Sequence, residues 1–270
     1  MDVSVSNRRL RIGVLLSFIG MVAVNALANA LPLNGVNTGQ VSALYPNLFT
    51  PASYTFGIWG LIYLMLAVYT GFQVFGRSAA EGPRQMMLTK VAKLFIGTSI
   101  LNAGWIFAWH YGQMALTALL MLGLLVGLAR IGWLLRTPHC SPVEELALRI
   151  PFALYFGWIT VATVANIAVL LVHLQWDGFG IAAPIWTVLI LTVAAVIAAV
   201  TMYRIRSVAY GLAVVWAYVG ILVRQTSASG LQGMYPLVIG FTVALLVGLV
   251  GMLIPTAIHM RRSAACEVQK

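Results

Sequence analysis

The sequence predicts an all-α integral membrane protein, a polytopic bundle of about eight transmembrane helices with both termini in the cytoplasm. Three observations lead to that fold class. The composition is 61% hydrophobic and 8% charged, with a mean hydropathy of +0.94, which is far more apolar than a soluble domain. The apolar residues fall into eight runs of roughly the length that crosses a bilayer. The basic residues gather in alternate loops.

The eight predicted spans follow one another along the whole chain. Each is predicted to be helical, because open strands would leave backbone polar groups unpaired in lipid. The third run is short and is expected to begin nearer Leu88, with Lys90 and Lys93 extending to the interface. The runs cover residues 12–32, 52–75, 94–110, 114–135, 150–173, 183–203, 207–224 and 234–258.

The distribution of charge predicts the orientation of the chain. Fifteen of the 16 Lys and Arg residues lie on one predicted side of the membrane, and Arg224 alone lies on the other. Because cytoplasmic loops are enriched in Lys and Arg, both termini are placed in the cytoplasm, which fits a bacterial plasma (inner) membrane. The same rule accounts for the formal charge of +10 without nucleic acid as a partner. Cys140 and Cys266 fall in predicted cytoplasmic segments, where reduced thiols are expected rather than a disulfide.

The first span also has features of a secretory signal peptide. A basic cluster, Arg8–Arg11, precedes an apolar run that ends in the A-x-A pattern Ala28-Asn29-Ala30. We favour retention of this span, because the run is long enough to cross the membrane. Asn25 and Asn29 lie one helical turn apart, so their shared face is expected to pack against another helix rather than lipid.

Signatures of catalysis are missing from the sequence, and we expect the protein not to be an enzyme. The chain has no phosphate-binding loop, no GxSxG, no HExxH and no CxxC. The six carboxylates lie outside the predicted spans, which disfavours a proton relay or ion-coupled transport. His110 and His173 fall near the outer ends of their spans and could together ligate a haem or a metal; two interfacial polar residues are the favoured interpretation.

The stretch Phe49–Tyr63, FTPASYTFGIWGLIY, carries five aromatic residues where an uncharged loop enters the second span. Trp59, Tyr63 and Trp105 lie several residues below the predicted interface, deeper than a belt of anchoring aromatics requires. Asn102 is one turn from Trp105. An inward-facing aromatic box with a few polar groups suits a flat, amphipathic ligand, and plain packing is the alternative.

Gly123 and Gly127 form a GxxxG pair in the fourth span. Such a pair lets two helices approach closely. A homodimer interface and packing within one chain are both compatible with it.

Three stretches together resemble the TspO/MBR family of tryptophan-rich sensory proteins and translocator proteins. The family's W-x-P-P-x-W-x-F-G-P-V-W-x-x-L-Y is similar to the 49–63 stretch, with a one-residue deletion before Trp59 and with Phe49 and Tyr54 in place of two tryptophans. The family's L-N-x-x-W is similar to Leu101-Asn102 followed by Trp105. Its W-x3-A-x3-L-N is similar to the stretch from Trp158 to Asn166.

The resemblance covers about residues 10–175 and implies a five-helix bundle with a ligand pocket under the first loop. It divides the chain into a TspO-like part, residues 1–175, and a part with three additional spans and a basic tail, residues 176–270. Family members bind porphyrins, sterols or drug-like ligands, which implies a bound porphyrin or haem-like ligand but no required cofactor. Carried over by motif, the ligand-binding residues are Phe49, Pro51, Tyr54, Trp59, Tyr63, Asn102, Trp105, Trp158 and Asn166.

The predicted function is therefore binding of a flat apolar or amphipathic ligand by a membrane-embedded sensor or facilitator. Two alternatives remain open. One is a secondary transporter or facilitator of a small apolar solute that uses all eight spans. The other is an accessory subunit of a membrane complex.

Overall fold

Long helices make up most of the fold in the computed structural model, which describes residues 3–31, 33–76, 82–136 and 141–268. The part of the chain described in this way contains no β-strand. Eight long helices are α1 (Val3–Ala30), α3 (Ile58–Phe75), α4 (Pro83–His110), α5 (Met114–Leu134), α7 (Ile150–His173), α8 (Ala183–Ile205), α9 (Val208–Thr226) and α10 (Pro236–Val268). Two short helices, α2 (Thr38–Ala43) and α6 (Pro142–Glu144), three 3-10 turns (Leu33–Gly35, Ser53–Gly57 and Gly178–Gly180) and a π-helical turn (Glu145–Arg149) complete the chain.

The eight predicted spans are confirmed: within the described residues, eight helices are long and apolar enough to cross a membrane. Three of them, the first, the third and the fifth, begin earlier than the apolar runs predicted. The third starts at Pro83, and the fifth starts at Pro142 and continues through the π-helical turn into α7. Ser141 caps the fifth span, since its side chain accepts from the backbone N–H of Glu144. The helix therefore extends beyond the apolar run, because it begins at a capping residue and a search for apolar residues does not detect helix caps.

The two faces of the bundle are identified by contacts between helix ends. Arg11 donates to the carbonyl oxygens of Val74 and Gly76 at 3.4 and 3.2 Å, which places the start of α1 beside the end of α3. We call this side the terminal face, because α10 returns to it, and the opposite side, which holds the Leu31–Gly57 connection, the loop face. Both ends of the described chain thus lie on one face, as an even number of spans requires.

Ion pairs on the terminal face engage both carboxylates at the start of the fifth span. Glu144 pairs with Arg84, and Glu145 accepts from Arg149 at 2.7 Å. Arg149 also donates to the carbonyl of Arg206 at 3.1 Å, which ties this end of α7 to the turn between α8 and α9. The carboxylates are therefore paired at the helix end rather than placed within the apolar part of the span.

Helix α7 is the centre of the bundle, and every residue from Pro151 to Val161 on it is buried. It packs against α3 and α5 on one side and against α9 on the other. A Cβ atom on Gly157 would collide with the carbonyl oxygen of Tyr210, so glycine permits the close approach of α7 and α9. The last three spans therefore pack directly on the first five.

The terminal-side half of the first five spans is closed by three aromatic rings. Tyr69, Phe95 and Phe152 come from α3, α4 and α7, and each is fully buried. Their ring centroids lie 4.7 to 5.8 Å apart in edge-to-face geometry. This aromatic cluster fills the space between the three helices.

Other sequence predictions concern parts that are not described. Cys140 and the side chain of Cys266 lie outside the described residues, so the thiol prediction stays a prediction. The Ala28-Asn29-Ala30 pattern forms the last turn of α1. Cleavage of the first span likewise stays untested.

Candidate functional site

A cavity of about 490 Å³ lies between α1, α3 and α4 near the loop face, beneath the N-terminal end of α2. A smaller cavity of about 50 Å³, called the extension, adjoins it toward α5 and α7 and shares four lining residues with it, Thr38, Phe56, Trp59 and Trp105. The side chains that line the cavity and its extension are aromatic, aliphatic, hydroxyl or amide in character, and none of them is charged. The main cavity is lined by Val22, Asn25, Ala26, Asn29, Asn37, Thr38, Gly39, Ser53, Phe56, Trp59, Tyr63, Trp105 and Ile106.

Two stacked aromatic pairs form the walls of the cavity. Trp59 and Tyr63 stack at 5.4 Å on α3, and Trp105 and Trp109 stack at 5.2 Å on α4. Each pair lies at i and i+4, the spacing that places two side chains one above the other on a helix. Trp158 on α7 meets the Trp59 ring edge-on at 6.2 Å and closes the narrow extension.

Four polar atoms of the lining are buried and have no hydrogen-bond partner among the described residues. They are the Tyr63 hydroxyl, the indole N–H groups of Trp105 and Trp158, and the Thr38 hydroxyl. A buried donor without a partner costs about 1–3 kcal/mol, so buried polar groups normally have one. Each of the four groups belongs to a residue that lines the cavity or its extension.

A hydrogen-bond network across three helices supports the cavity from the terminal side. The Asn25 amide on α1 donates to the Asn102 carbonyl oxygen on α4 at 2.7 Å, and Asn102 donates to the Tyr155 hydroxyl on α7 at 2.9 Å. The Tyr155 ring then packs edge-on against Trp59 at 5.7 Å. As the sequence predicted, Asn25 packs against another helix, and the network fixes the position of the Trp59 ring.

A second polar contact positions the far end of the extension. The Thr117 hydroxyl on α5 donates to the Asn166 side-chain oxygen on α7 at 3.1 Å. Both residues are buried. Asn166 therefore has a fixed orientation where α5 and α7 meet.

Helix α2 forms the roof of the cavity and is tied to the helices on both sides. A capping box between Asn37 and Gln40 fixes its first turn. The Thr38 N–H donates to the Asn29 side chain of α1 at 3.4 Å, and the Trp109 indole of α4 donates to the Thr38 carbonyl at 3.1 Å. The roof is thus held in place by residues that belong to the walls.

The loop from Leu44 to Gly57 is held by α9, which belongs to the last three spans. The Trp216 indole donates to the Thr55 carbonyl at 2.9 Å, and the Gln225 amide donates to the Leu48 carbonyl at 2.7 Å. The backbone N–H of Ala52 donates to the Gly220 carbonyl at 3.0 Å. The additional spans therefore help to position the loop that borders the cavity.

The structure brings six of the nine predicted site residues to the cavity or its extension. They are Pro51, Trp59, Tyr63, Trp105, Trp158 and Asn166. Asn102 is 1% exposed and lies behind the wall in the polar network. Binding by any of them stays a prediction.

Phe49 and Tyr54 point elsewhere. Phe49 is buried and lines a separate cavity of about 510 Å³ between the loop, the end of α7 and the last three spans. Tyr54 is 47% exposed and packs edge-on against Trp216 at 5.6 Å. For Tyr54 the reason is the 3-10 turn Ser53–Gly57, in which Phe56 lines the cavity and Tyr54 packs against α9.

Sequence reasoning missed Tyr155, Thr38 and the two α9 residues, Trp216 and Gln225. Tyr155 lies one turn before Trp158, so helical periodicity could have placed it on a neighbouring part of the same face. The residues Trp216 and Gln225 lie more than 160 positions from the loop they hold. Such separations leave no local pattern in the sequence.

The two histidines contact different parts of the protein. His110 is buried, and its Nδ1 lies 2.8 Å from the Ile106 carbonyl of its own helix. The His173 ring packs edge-on against Tyr45. No group of three or more potential metal ligands occurs among the described residues. Both interpretations of the two histidines, interfacial residues or ligands of a haem or metal, stay predictions.

Comparison with known proteins gives one match. A family model described as TSPO-like protein matches residues 11–255. The match continues beyond residue 175, where the motif resemblance ended, and reaches into the eighth span. No curated protein and no solved structure matches the chain.

Proposed function

The chain belongs to the family of TSPO-like proteins, and from that premise we propose that it binds a flat, amphipathic ligand in the cavity beneath α2. One observation carries the proposal: an uncharged cavity is walled by two stacked aromatic pairs, and three of its lining residues, Tyr63, Trp105 and Trp158, have buried donors with no partner among the described residues. The volume of about 490 Å³ lies in the range of pockets that bind small molecules.

The lining indicates which chemical class of ligand fits. The two stacked aromatic pairs offer flat surfaces against which a planar ring system can pack. We propose that carbonyl or carboxylate oxygens at the edge of a ligand pair with these donors, which have no partner among the described residues. A tetrapyrrole with carboxylate side chains has both properties, so porphyrins are the first class to test.

We propose that the protein acts as a sensor or facilitator and performs no covalent chemistry. Aromatic, amide and hydroxyl groups bind and orient a ligand, whereas general acid–base catalysis commonly relies on histidine or a carboxylate with a tuned pKa. Passage of a ligand through the bundle would require the Tyr69, Phe95 and Phe152 rings to separate. The closed terminal half therefore supports binding over transport.

We further propose that the terminal face is cytoplasmic and that the protein resides in a bacterial plasma membrane. The charge distribution supports this orientation, because 15 of the 16 Lys and Arg residues lie in the tails, loops and helix ends that the sequence predicts to be cytoplasmic. The cavity would then lie in the outer half of the bilayer.

The proposal is tested by titrating protoporphyrin IX into the purified protein in detergent and following tryptophan fluorescence. Saturable quenching at low micromolar ligand is expected for the wild type and is expected to weaken in Trp59→Ala. Trp133→Ala is the matched control, since Trp133 is 50% exposed near the terminal face and does not line the cavity. Linear quenching that is identical in all three proteins would show partitioning into detergent and would refute the proposal.

A further inference from the structure

A groove of about 750 Å³ runs along the outer surface between α4 and α5, away from the ligand cavity. Its floor and walls are apolar or small, and its basic residues are all at the terminal-face end. Lys90, Lys93, Leu94, Gly97, Thr98 and Leu101 line it from α4, and Gly123, Val126, Gly127, Arg130, Trp133 and Leu134 line it from α5. Because Val126 is 58% exposed on this surface, the groove opens toward the lipid.

The glycines determine the shape of the groove. A Cβ atom on Gly127 would lie 2.6 Å from the Thr98 side chain, and one on Gly123 would lie 3.3 Å from Leu101. The GxxxG pair therefore allows α4 and α5 of the same chain to pack closely together. Gly97 differs, because a Cβ there would meet nothing within 4 Å, so its missing side chain leaves open space in the groove.

Three cations border the terminal end of the groove. Lys90 and Lys93 lie one turn apart on α4, Arg130 lies on α5, and all three are exposed. In the described part of the chain none of them forms an ion pair, since Glu144 and Glu145 are engaged by Arg84 and Arg149. Next to them the Arg136 guanidinium stacks 3.6 Å over the Trp133 ring. The result is a concentrated positive charge beside an apolar channel.

We propose that this groove binds an anionic phospholipid, with the phosphate among Lys90, Lys93 and Arg130 and one acyl chain along Gly97 and Val126. Basic pockets between membrane helices on the cytoplasmic side recognise anionic headgroups in this way. A zwitterionic lipid brings an ammonium group to the same three cations and binds more weakly. Trp133 lies in the last turn of α5, at the terminal face, and tryptophan favours the headgroup region of a bilayer.

Charge also decides against a second copy of the chain as the occupant. Two copies in one membrane could meet through this face about a two-fold axis along the membrane normal. Identical residues of the two copies would then lie at the same depth. Lys90, Lys93 and Arg130 of one copy would then face the same cations of the other, which is unfavourable. An anionic lipid neutralises this cluster instead.

The test measures lipid affinity by native mass spectrometry of the full-length protein, titrated with phosphatidylglycerol or phosphatidylcholine of the same acyl chains. The variant Lys90→Gln/Lys93→Gln/Arg130→Gln is expected to lose phosphatidylglycerol affinity by roughly fivefold per cation, on the order of a hundredfold in all. Its matched control, Arg8→Gln/Arg9→Gln/Arg204→Gln, removes three exposed charges near the same face outside the groove and is expected to retain most of the affinity. Equal losses in both triple variants, or equal affinity for the two lipids, would overturn the proposal.

A second variant, Gly97→Leu, keeps every charge and fills the groove. It is expected to weaken phosphatidylglycerol binding at least several-fold, while soluble glycerol phosphate fails to compete with the lipid for the wild type. Unchanged lipid binding in Gly97→Leu would overturn the acyl-chain assignment.

A shift from dimer to monomer without lipid loss would show that the groove is a self-association face and would equally refute the proposal. Because the ligand cavity is separate, porphyrin quenching in these variants reports on the proposed function independently.

Discussion

The loop-side and terminal-side halves of the first five spans both contain aromatic clusters, yet one half encloses a cavity and the other is filled. In the terminal half, Tyr69, Phe95 and Phe152 come from three helices and meet at 4.7 to 5.8 Å. In the loop half, Trp59 stacks on Tyr63 and Trp105 on Trp109, each pair within one helix. Trp59 also meets Tyr155 and Trp158 across helices, but the two stacks within single helices lie along the walls and leave the space between α1, α3 and α4 open.

The largest expected effect is a loss of stability when a ring is removed from the aromatic cluster of the terminal half. Phe152→Ala removes a fully buried ring that touches both Tyr69 and Phe95, and should lower the free energy of unfolding by about 3–5 kcal/mol. Denaturant unfolding in detergent measures it, with Phe152→Leu as the milder control. If the Ala variant lost ligand affinity while keeping its stability, the two halves would not be separable as described.

Truncating the wall of the open half should act mainly on binding. Trp59→Ala removes one face of the cavity and the stack with Tyr63. It should weaken the binding free energy of protoporphyrin IX by about 1–2 kcal/mol, which raises the Kd roughly fivefold to thirtyfold. Trp59→Phe keeps a flat ring and should recover part of the affinity. A Trp59→Ala protein that binds like the wild type would show that these rings are packing and not a binding surface.

The boundary between the halves depends on the Asn25, Asn102 and Tyr155 network. Tyr155→Phe leaves the Asn102 amide without its acceptor, and should destabilise the protein by about 0.6–1.7 kcal/mol, the range for hydrogen bonds between membrane helices. A double-mutant cycle with Asn102→Leu isolates this coupling in unfolding experiments. Strict additivity of the two substitutions would mean that the contact contributes nothing.

The smallest expected effect comes from a single donor in the cavity. Tyr63→Phe removes a buried hydroxyl that has no partner among the described residues, so the ligand-free protein should be at least as stable as the wild type. Affinity for a ligand with edge acceptors should fall by about 0.5–1 kcal/mol, roughly twofold to fivefold in Kd. Parallel titrations of the two proteins measure it, with Tyr54→Phe as the control on an exposed ring that packs against α9. Equal losses in both variants would show that the hydroxyl does not reach the ligand.

Much of the candidate site was predictable, because it rests on helical periodicity. Trp59 and Tyr63, or Asn102 and Trp105, share a helix face by their spacing alone, and the structure places each pair at or next to the cavity. Phe49 and Tyr54 lie in the non-helical loop, where spacing does not determine direction. Tyr54 is oriented by the 3-10 turn and Trp216, and Phe49 lines the cavity next to the last three spans, whereas the prediction placed both in one pocket with the others.

The sequence by itself determined the membrane class, the eight spans and the family, because hydrophobic run length, loop charge and local motifs are properties of neighbouring residues. Only the tertiary structure decided which aromatics line a space and which fill one. It also decided that Trp216 and Gln225 of α9 hold the loop beside the cavity, and that Gly127 faces Thr98 of the same chain. Each of these depends on how helices far apart in sequence pack, which no single segment encodes.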